Sequence, residues 1–206
     1  MNHAAPPRAE SNRASTLALA GLAVLLAAVT GLLGHATGSW ATPFVDDVAV
    51  DHRGALGEAD GVVPDGTTVF DADTPAVANL DHDLLGAVRR ATTDAARDGV
   101  TVYLNSGWRS PDYQSHLLRE AVSEYGSEER AARWVATADT SPHVSGDAID
   151  VGHAEATAWL SQHGGRYGLC QIYRNEPWHF ELRPDAVAHG CPAQYADPAH
   201  DPRIHK

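Results

Sequence analysis

Ser141-Pro-His-Val-Ser-Gly-Asp-Ala-Ile-Asp150 changes character halfway along. Through Gly146 it is built of Ser, Pro and Gly and reads as a loop. From Ala148 to Val151 it turns apolar and β-branched and reads as a short strand. A second stretch, Glu176-Pro-Trp-His179, repeats the pattern: a turn at Asn175-Glu-Pro177, then a strand from His179 to Leu182. A loop folded over one strand, beside a second strand entered from a turn, places polar side chains at one end of a sheet.

Outward from these stretches, short elements of both kinds alternate. Leu169 to Tyr173 reads as a strand, and Ala154 to His163 as a helix stopped by Gly164-Gly165. Upstream, Ser110-Pro111 is an N-cap and first-turn pair that opens a helix to Tyr125. Gly126 closes that helix, and Ser127 caps a short helix through Ala136. Val100 to Leu104 is rich in β-branched residues and predicts a strand, followed by a turn at Asn105-Ser-Gly107. Leu80, Leu84, Leu85, Val88 and Ala91 recur at helical spacing and predict one helix from Pro75 to Asp98, ended by Gly99. Gly61–Pro64 and Thr67–Phe70 are candidate short strands. The fold class that follows is α+β: a compact single domain with a small, largely antiparallel sheet flanked by helices.

The N-terminus carries a different signal. Arg8 and Arg13 precede an apolar run from Leu17 to Leu33, and no Asp, Glu, Lys or Arg occurs between Ala14 and Val45. About 17 apolar residues stand at the short end of a spanning helix and beyond a usual signal-peptide core. The expected organisation is a cytoplasmic tail over 1–13, a transmembrane signal anchor or signal peptide over 14–38, a Gly/Pro/Asp-rich linker over 39–61 and a folded domain over 62–206. The basic flank puts the tail inside and the domain outside the membrane, or, if the segment is cleaved, secreted. Cys170 and Cys191 are the only cysteines, so one pairing exists, and export favours their disulfide. Acidic residues outnumber basic ones 27 to 15; this excludes nucleic acid as an expected partner, because phosphate binding needs Lys and Arg clusters.

The loop–strand pairs hold two imidazoles and several carboxylates, the inventory of a catalytic zinc site: three protein ligands, an open position and a base. His143 and His179 are the candidate imidazoles. Spacing leaves Asp147 and Asp150 as competing third ligands, and Glu176 and Glu181 as competing bases; a regular pleat favours Glu181, and the turn at Pro177 favours Glu176. Trp178 is expected to pack beneath His179.

The motif Ser141-x-His143-x-x-Gly146-x-Ala148-x-Asp150, followed by Glu176-x-x-His179, resembles the signature of zinc D-alanyl-D-alanine carboxypeptidases of the VanY type. Ser106-Gly-Trp-Arg-Ser110 with Gln114, and Tyr167-Gly168, resemble two further segments of that family. The likeness covers about residues 68–183. It implies His143, Asp150 and His179 as Zn2+ ligands, Glu176 as catalytic base and Arg109 as the group polarising the scissile carbonyl. Ser141, Gln114 and Ser106 are the expected substrate-binding residues, Ser141 first among candidates for the terminal carboxylate. The implied substrate is a peptidoglycan stem peptide cut at its C-terminal D-Ala-D-Ala bond. An L,D-carboxypeptidase or endopeptidase on the same scaffold, and a non-catalytic zinc module binding cell-wall peptides, are the alternatives.

Overall fold

The computed structural model describes residues 56–204. The expected tail, membrane segment and most of the linker lie outside the described residues, and among the described residues no helix is long and apolar enough to cross a membrane.

The elements in order are a 3-10 turn (Glu58–Asp60), α1 (Pro75–Ala78), α2 (His82–Arg97), β1 (Leu104–Ser106), α3 (Pro111–Tyr125), α4 (Glu128–Ala131), β2 (Ala148–Val151), α5 (Ala154–His163), a 3-10 turn (Gly164–Tyr167), β3 (Leu169–Gln171), β4 (His179–Leu182), α6 (Ala186–His189) and a last 3-10 turn (Pro198–His200). The four strands form one sheet in the order β1-β2-β4-β3, with every neighbouring pair antiparallel. This is the compact α+β architecture that the alternation of elements predicts.

Register sorts the two faces. Ser106 pairs with Asp150, and Asp150 with His179; Glu181 lies two residues beyond His179. Opposite residues share a face, as do residues two apart, so these four polar side chains stand together. The other face carries Ile149, Val151, Phe180 and Leu169, which pack against Leu84, Val88, Ala91 and Ala95 of α2 and Trp159 and Leu160 of α5. Burying one such aliphatic or aromatic side chain contributes about 1.5–3 kcal/mol. The apolar face therefore anchors the sheet, and its polar face is held rigidly above.

Several predicted elements shift. The single helix expected over Pro75–Asp98 is two. Asn79 ends α1, and Asp81 caps α2, its side chain accepting from Asp83 N at 2.9 Å and Leu84 N at 3.0 Å. Leu80 keeps its core place across the break, so the apolar periodicity alone did not show it. The break has a use: Asp81 N donates to Gly146 O at 2.9 Å, docking the loop that carries His143. The strand expected at Val100–Leu104 begins only at Leu104, because pairing with β2 starts there, and the predicted turn at Asn105–Gly107 is its continuation and exit. Gly61–Pro64 and Thr67–Phe70 are irregular backbone with turns at Gly61 and at Val69–Phe70; Asp71 accepts from the Thr68 amide at 2.6 Å and folds the second stretch on itself. The helix after Ser127 stops at Ala131. The helix ending at His163 continues as the 3-10 turn through Tyr167. The fold also reaches back past Val62, since Asp60 O accepts from Ser110 N at 2.8 Å.

Candidate active site

His143 stands in the loop before β2. Two glycines let that loop close over the sheet. Gly146 has φ +82°, and a Cβ there would lie 2.5 Å from Asn79 O. At Gly107 a Cβ would lie 2.2 Å from Ala76 O. Freed of that Cβ, the Gly107 carbonyl sits 2.8 Å from His143 Nδ1, which must donate to it. The arginine turn is fastened to the same loop, with Arg109 N donating to His143 O at 3.1 Å.

That hydrogen bond fixes the tautomer of His143 and leaves Nε2 with a lone pair. On β4, His179 Nε2 lies 3.2 Å from Glu181 Oε1, so Nε2–H donates to the carboxylate and Nδ1 faces inward. His143 Nε2, His179 Nδ1 and Asp150 Oδ1 then converge: 3.2 Å between the nitrogens, 3.2 Å from His179 and 3.4 Å from His143 to the aspartate oxygen. All three residues are buried. Donor atoms this close repel one another unless a cation lies among them: a proton on His179 Nδ1 serves in the metal-free chain, and a metal ion can take its place. Three N/O donors on one side of an open cavity suit Zn2+ with a fourth position free.

The charges respond to this crowding. Burial pushes the Asp150 carboxyl up, but His143, His179 and Arg109 outweigh it and hold the group well below the usual carboxylate range. Burial and the Arg109 charge lower the His143 imidazole. Burial also opposes a charged His179, yet hydrogen bonds to Asp150 and Glu181 raise it to about 9.

Glu176 is buried in the turn before β4, and its Oε1 has no hydrogen-bond partner among the described residues. Burial, the largest influence, pushes its carboxyl up to about 7. It lines a cavity of about 330 Å³ together with His143, Asp150, His179, Arg109 and Ser141. Glu181, its rival by spacing, is buried against His179, Arg183 and Arg203 instead. Asp147, the rival ligand, is exposed and accepts from Ser145 Oγ at 2.6 Å.

Arg109 is held on three sides: Nε donates to Ser106 Oγ at 2.7 Å, Nη1 to Gln114 Oε1 at 3.1 Å and Nη2 to Asp150 Oδ2 at 2.6 Å. Gln114 lines the cavity and also donates to Ala136 O at 2.8 Å. Ser106 is buried behind Arg109 and lies outside the cavity wall, the place of a support. Ser141 Oγ accepts from His143 N at 3.3 Å, leaving its own proton free. Trp178 does not pack beneath His179: it is 38% exposed at the cavity rim, and the ring against His179 is Tyr173, with centroids 5.1 Å apart. Sequence reasoning missed Tyr173 and the supporting place of Glu181. The second had a signal, since residues two apart on a strand share a face. Cys170 and Cys191 form the expected disulfide.

A small α+β domain with a His/Asp/His donor set, an open cavity and an unbonded buried carboxyl has the make-up of a metal-dependent hydrolase. The family described as VanY, D-alanyl-D-alanine carboxypeptidase, matches residues 77–185, more than half of the chain, and the chain belongs to it. A D-alanyl-D-alanine carboxypeptidase of Enterococcus faecalis is 33% identical, with 42% of this chain and 42% of that protein covered. The chain thus spans less than half the length of this curated relative. The solved structure of VanYB in complex with D-alanine-D-alanine shares the fold, at TM-score 0.50 and 24% identity over 54% of this chain and 74% of that one. A point variant of the vancomycin-resistance D,D-pentapeptidase VanY, solved with Zn(II), is 26% identical over 50% and 72% of the two chains, at TM-score 0.47.

Proposed function

We propose that this chain is an exported, zinc-dependent D,D-carboxypeptidase that hydrolyses the C-terminal D-Ala-D-Ala bond of peptidoglycan stem peptides. The observation that carries the reading is the Glu176 carboxyl, buried with one oxygen unbonded, in the same cavity as the His143, Asp150 and His179 donors. A site that only gripped a metal or a peptide has no use for such a group. Family membership supports the choice of bond.

His143 Nε2, Asp150 Oδ1 and His179 Nδ1 would hold the ion. When bound, zinc supplies Lewis-acid polarisation and makes water nucleophilic at neutral pH. Glu176 takes the proton of the attacking water and returns it to the nitrogen of the departing D-Ala. Burial raises its carboxyl in the metal-free chain, and a cation among the neighbouring donors would lower it again toward the ionised form a base needs. Arg109 commits three of its five N–H donors to Ser106, Gln114 and Asp150 and retains two for the carbonyl oxygen as charge develops there. Ser141 keeps a free hydroxyl proton for the substrate's terminal carboxylate. Arg8, Arg13 and the apolar run after them support a single-pass anchor with the domain outside the cell, or a cleaved leader and a secreted enzyme.

Metal analysis of the purified protein, with stem pentapeptides, tetrapeptides and cross-linked dimers as substrates read by mass, tests the reading. Release of one D-Ala from the pentapeptide is expected. Cleavage confined to the tetrapeptide would make the enzyme an L,D-carboxypeptidase, and cleavage confined to the dimer an endopeptidase. Glu176→Ala should retain zinc and lose turnover by about 10²–10⁴-fold; unchanged turnover would remove Glu176 as the base.

A further inference from the structure

The family match ends at residue 185, yet the described fold runs on to Ile204. This C-terminal strap is fastened to the sheet at three places. Cys191 is bonded to Cys170 of β3. Tyr195 N donates to Ile172 O at 2.9 Å, and Arg174 N to Tyr195 O at 3.0 Å. The third fastening is Arg203. Its Nη1 donates to Glu181 Oε2 at 2.7 Å and its Nη2 to Glu181 Oε1 at 3.3 Å, while Nε donates to Asp201 Oδ1 at 2.9 Å. Asp201 is fully buried and accepts from the Tyr173 hydroxyl at 3.0 Å.

Two of the groups that hold the His179 imidazole, Glu181 and Tyr173, end on this arginine. Glu181 Oε1 meets the ring edge at Nε2, and the Tyr173 ring lies against its face. Arg183 also touches Glu181, but only at Oε2. Arg203 reaches both oxygens, and a guanidinium fork gripping both oxygens fixes the plane of a carboxylate as a single contact does not. The plane of Glu181 in turn decides which His179 nitrogen keeps its proton.

We propose that Arg203 is a positioning residue for His179: through Glu181, and through Asp201 and Tyr173, the strap sets the tautomer and aim of the imidazole and so tightens metal binding. The inference rests on the reading of His143, Asp150 and His179 as zinc ligands. Carboxylate partners of a ligating histidine typically govern metal affinity by 10–100-fold.

The test measures zinc affinity by chelator competition on the purified full chain, and the ligand-field spectrum of the Co(II)-substituted protein. Arg203→Ala should weaken zinc binding by about 10–100-fold and shift the Co(II) spectrum. Arg203→Lys keeps the charge, loses the fork and should fall between, by about tenfold. Arg133→Ala is the control. Arg133 Nε holds Asp197 Oδ2 at 2.9 Å on the same strap, and no described contact joins it to Glu181; its affinity should stay within about twofold of native. Native affinity and spectrum in Arg203→Ala, or an equal loss in Arg133→Ala, would overturn the inference. If Arg203→Ala does not fold, Arg203→Lys decides alone, and native affinity there is fatal. A native chain that binds no zinc would instead sink the functional reading, and this inference with it.

Discussion

Glu176 and Glu181 stand three residues before and two after His179, and the fold gives them opposite electrostatics. Burial pushes the carboxyl of Glu176 up to about 7, with one oxygen unbonded. Burial also works against the Glu181 charge, but His179 and Arg203 outweigh it and bring the group down to about 2. A carboxyl raised in the folded state stabilises the fold fully below its unfolded value near 4.5. That contribution is lost as pH rises through about 7. Glutamine stays neutral throughout, so with zinc chelated Glu176→Gln should be more stable than the native chain at pH 8, by about 3 kcal/mol, and equal to it at pH 4. Urea titrations at the two pH values measure this, and a native chain as stable as the variant at pH 8 would contradict it. Spacing offered both glutamates as bases and both Asp147 and Asp150 as ligands. The motif, not the pleat, separated them, because what distinguishes the members of each pair is burial and partners far away in sequence, Arg203 among them.

Elements show the same division. Ala148–Val151, Ala154–His163 and His179–Leu182 appear where composition and stop signals predict them, since each is bounded by local chemistry. The strand displaced to Leu104–Ser106 and the helix broken at Asn79–Asp81 were set by tertiary contacts: pairing with β2 in one case, docking of the Gly146 carbonyl in the other. The loop that carries His143 therefore depends on the fit of Gly146 against the break. Gly99 gives a clean comparison. It has φ +81°, close to the +82° of Gly146, but a Cβ there meets nothing within 4 Å. Gly99→Ala should lose only the left-handed penalty, about 1–2 kcal/mol. Gly146→Ala adds a clash with backbone at 2.5 Å and should lose about 1–3 kcal/mol more. Equal losses in thermal melts would mean that the loop does not bear on the break. The disulfide acts on a longer segment. Restriction of the unfolded chain over a sequence separation of 21 gives an expected loss of about 3 kcal/mol in Cys170→Ser, read in the same thermal melts.

For the whole domain, the two kinds of carboxyl predict how metal-free stability depends on pH. Asp197 and Asp201 are buried, which opposes their charge, but His200 and Arg133 hold the first, and Arg203 the second, below the usual carboxylate range. With Glu181 and Asp150, likewise held down, they form an acid limb. Their folded values lie under the unfolded ones near 4, so the folded chain binds fewer protons, and the stability they give is complete above roughly pH 5 and lost as pH falls toward 2. Glu176 and His179, both raised, form the opposing limb, lost as pH climbs through about 7 and about 9. The urea midpoint of the metal-free chain should therefore peak near pH 5–6 and decline on either side. Saturating zinc should lift the alkaline side, because binding to the folded state adds stability by mass action. Arg203→Ala should reduce the acid side in particular, since Asp201 loses the cation that depresses it and Glu181 loses one of the cations, after His179, that depress it. A midpoint that holds steady down to pH 3, or an acid limb unchanged in that variant, would show that the C-terminal strap does not carry the charge balance assigned to it.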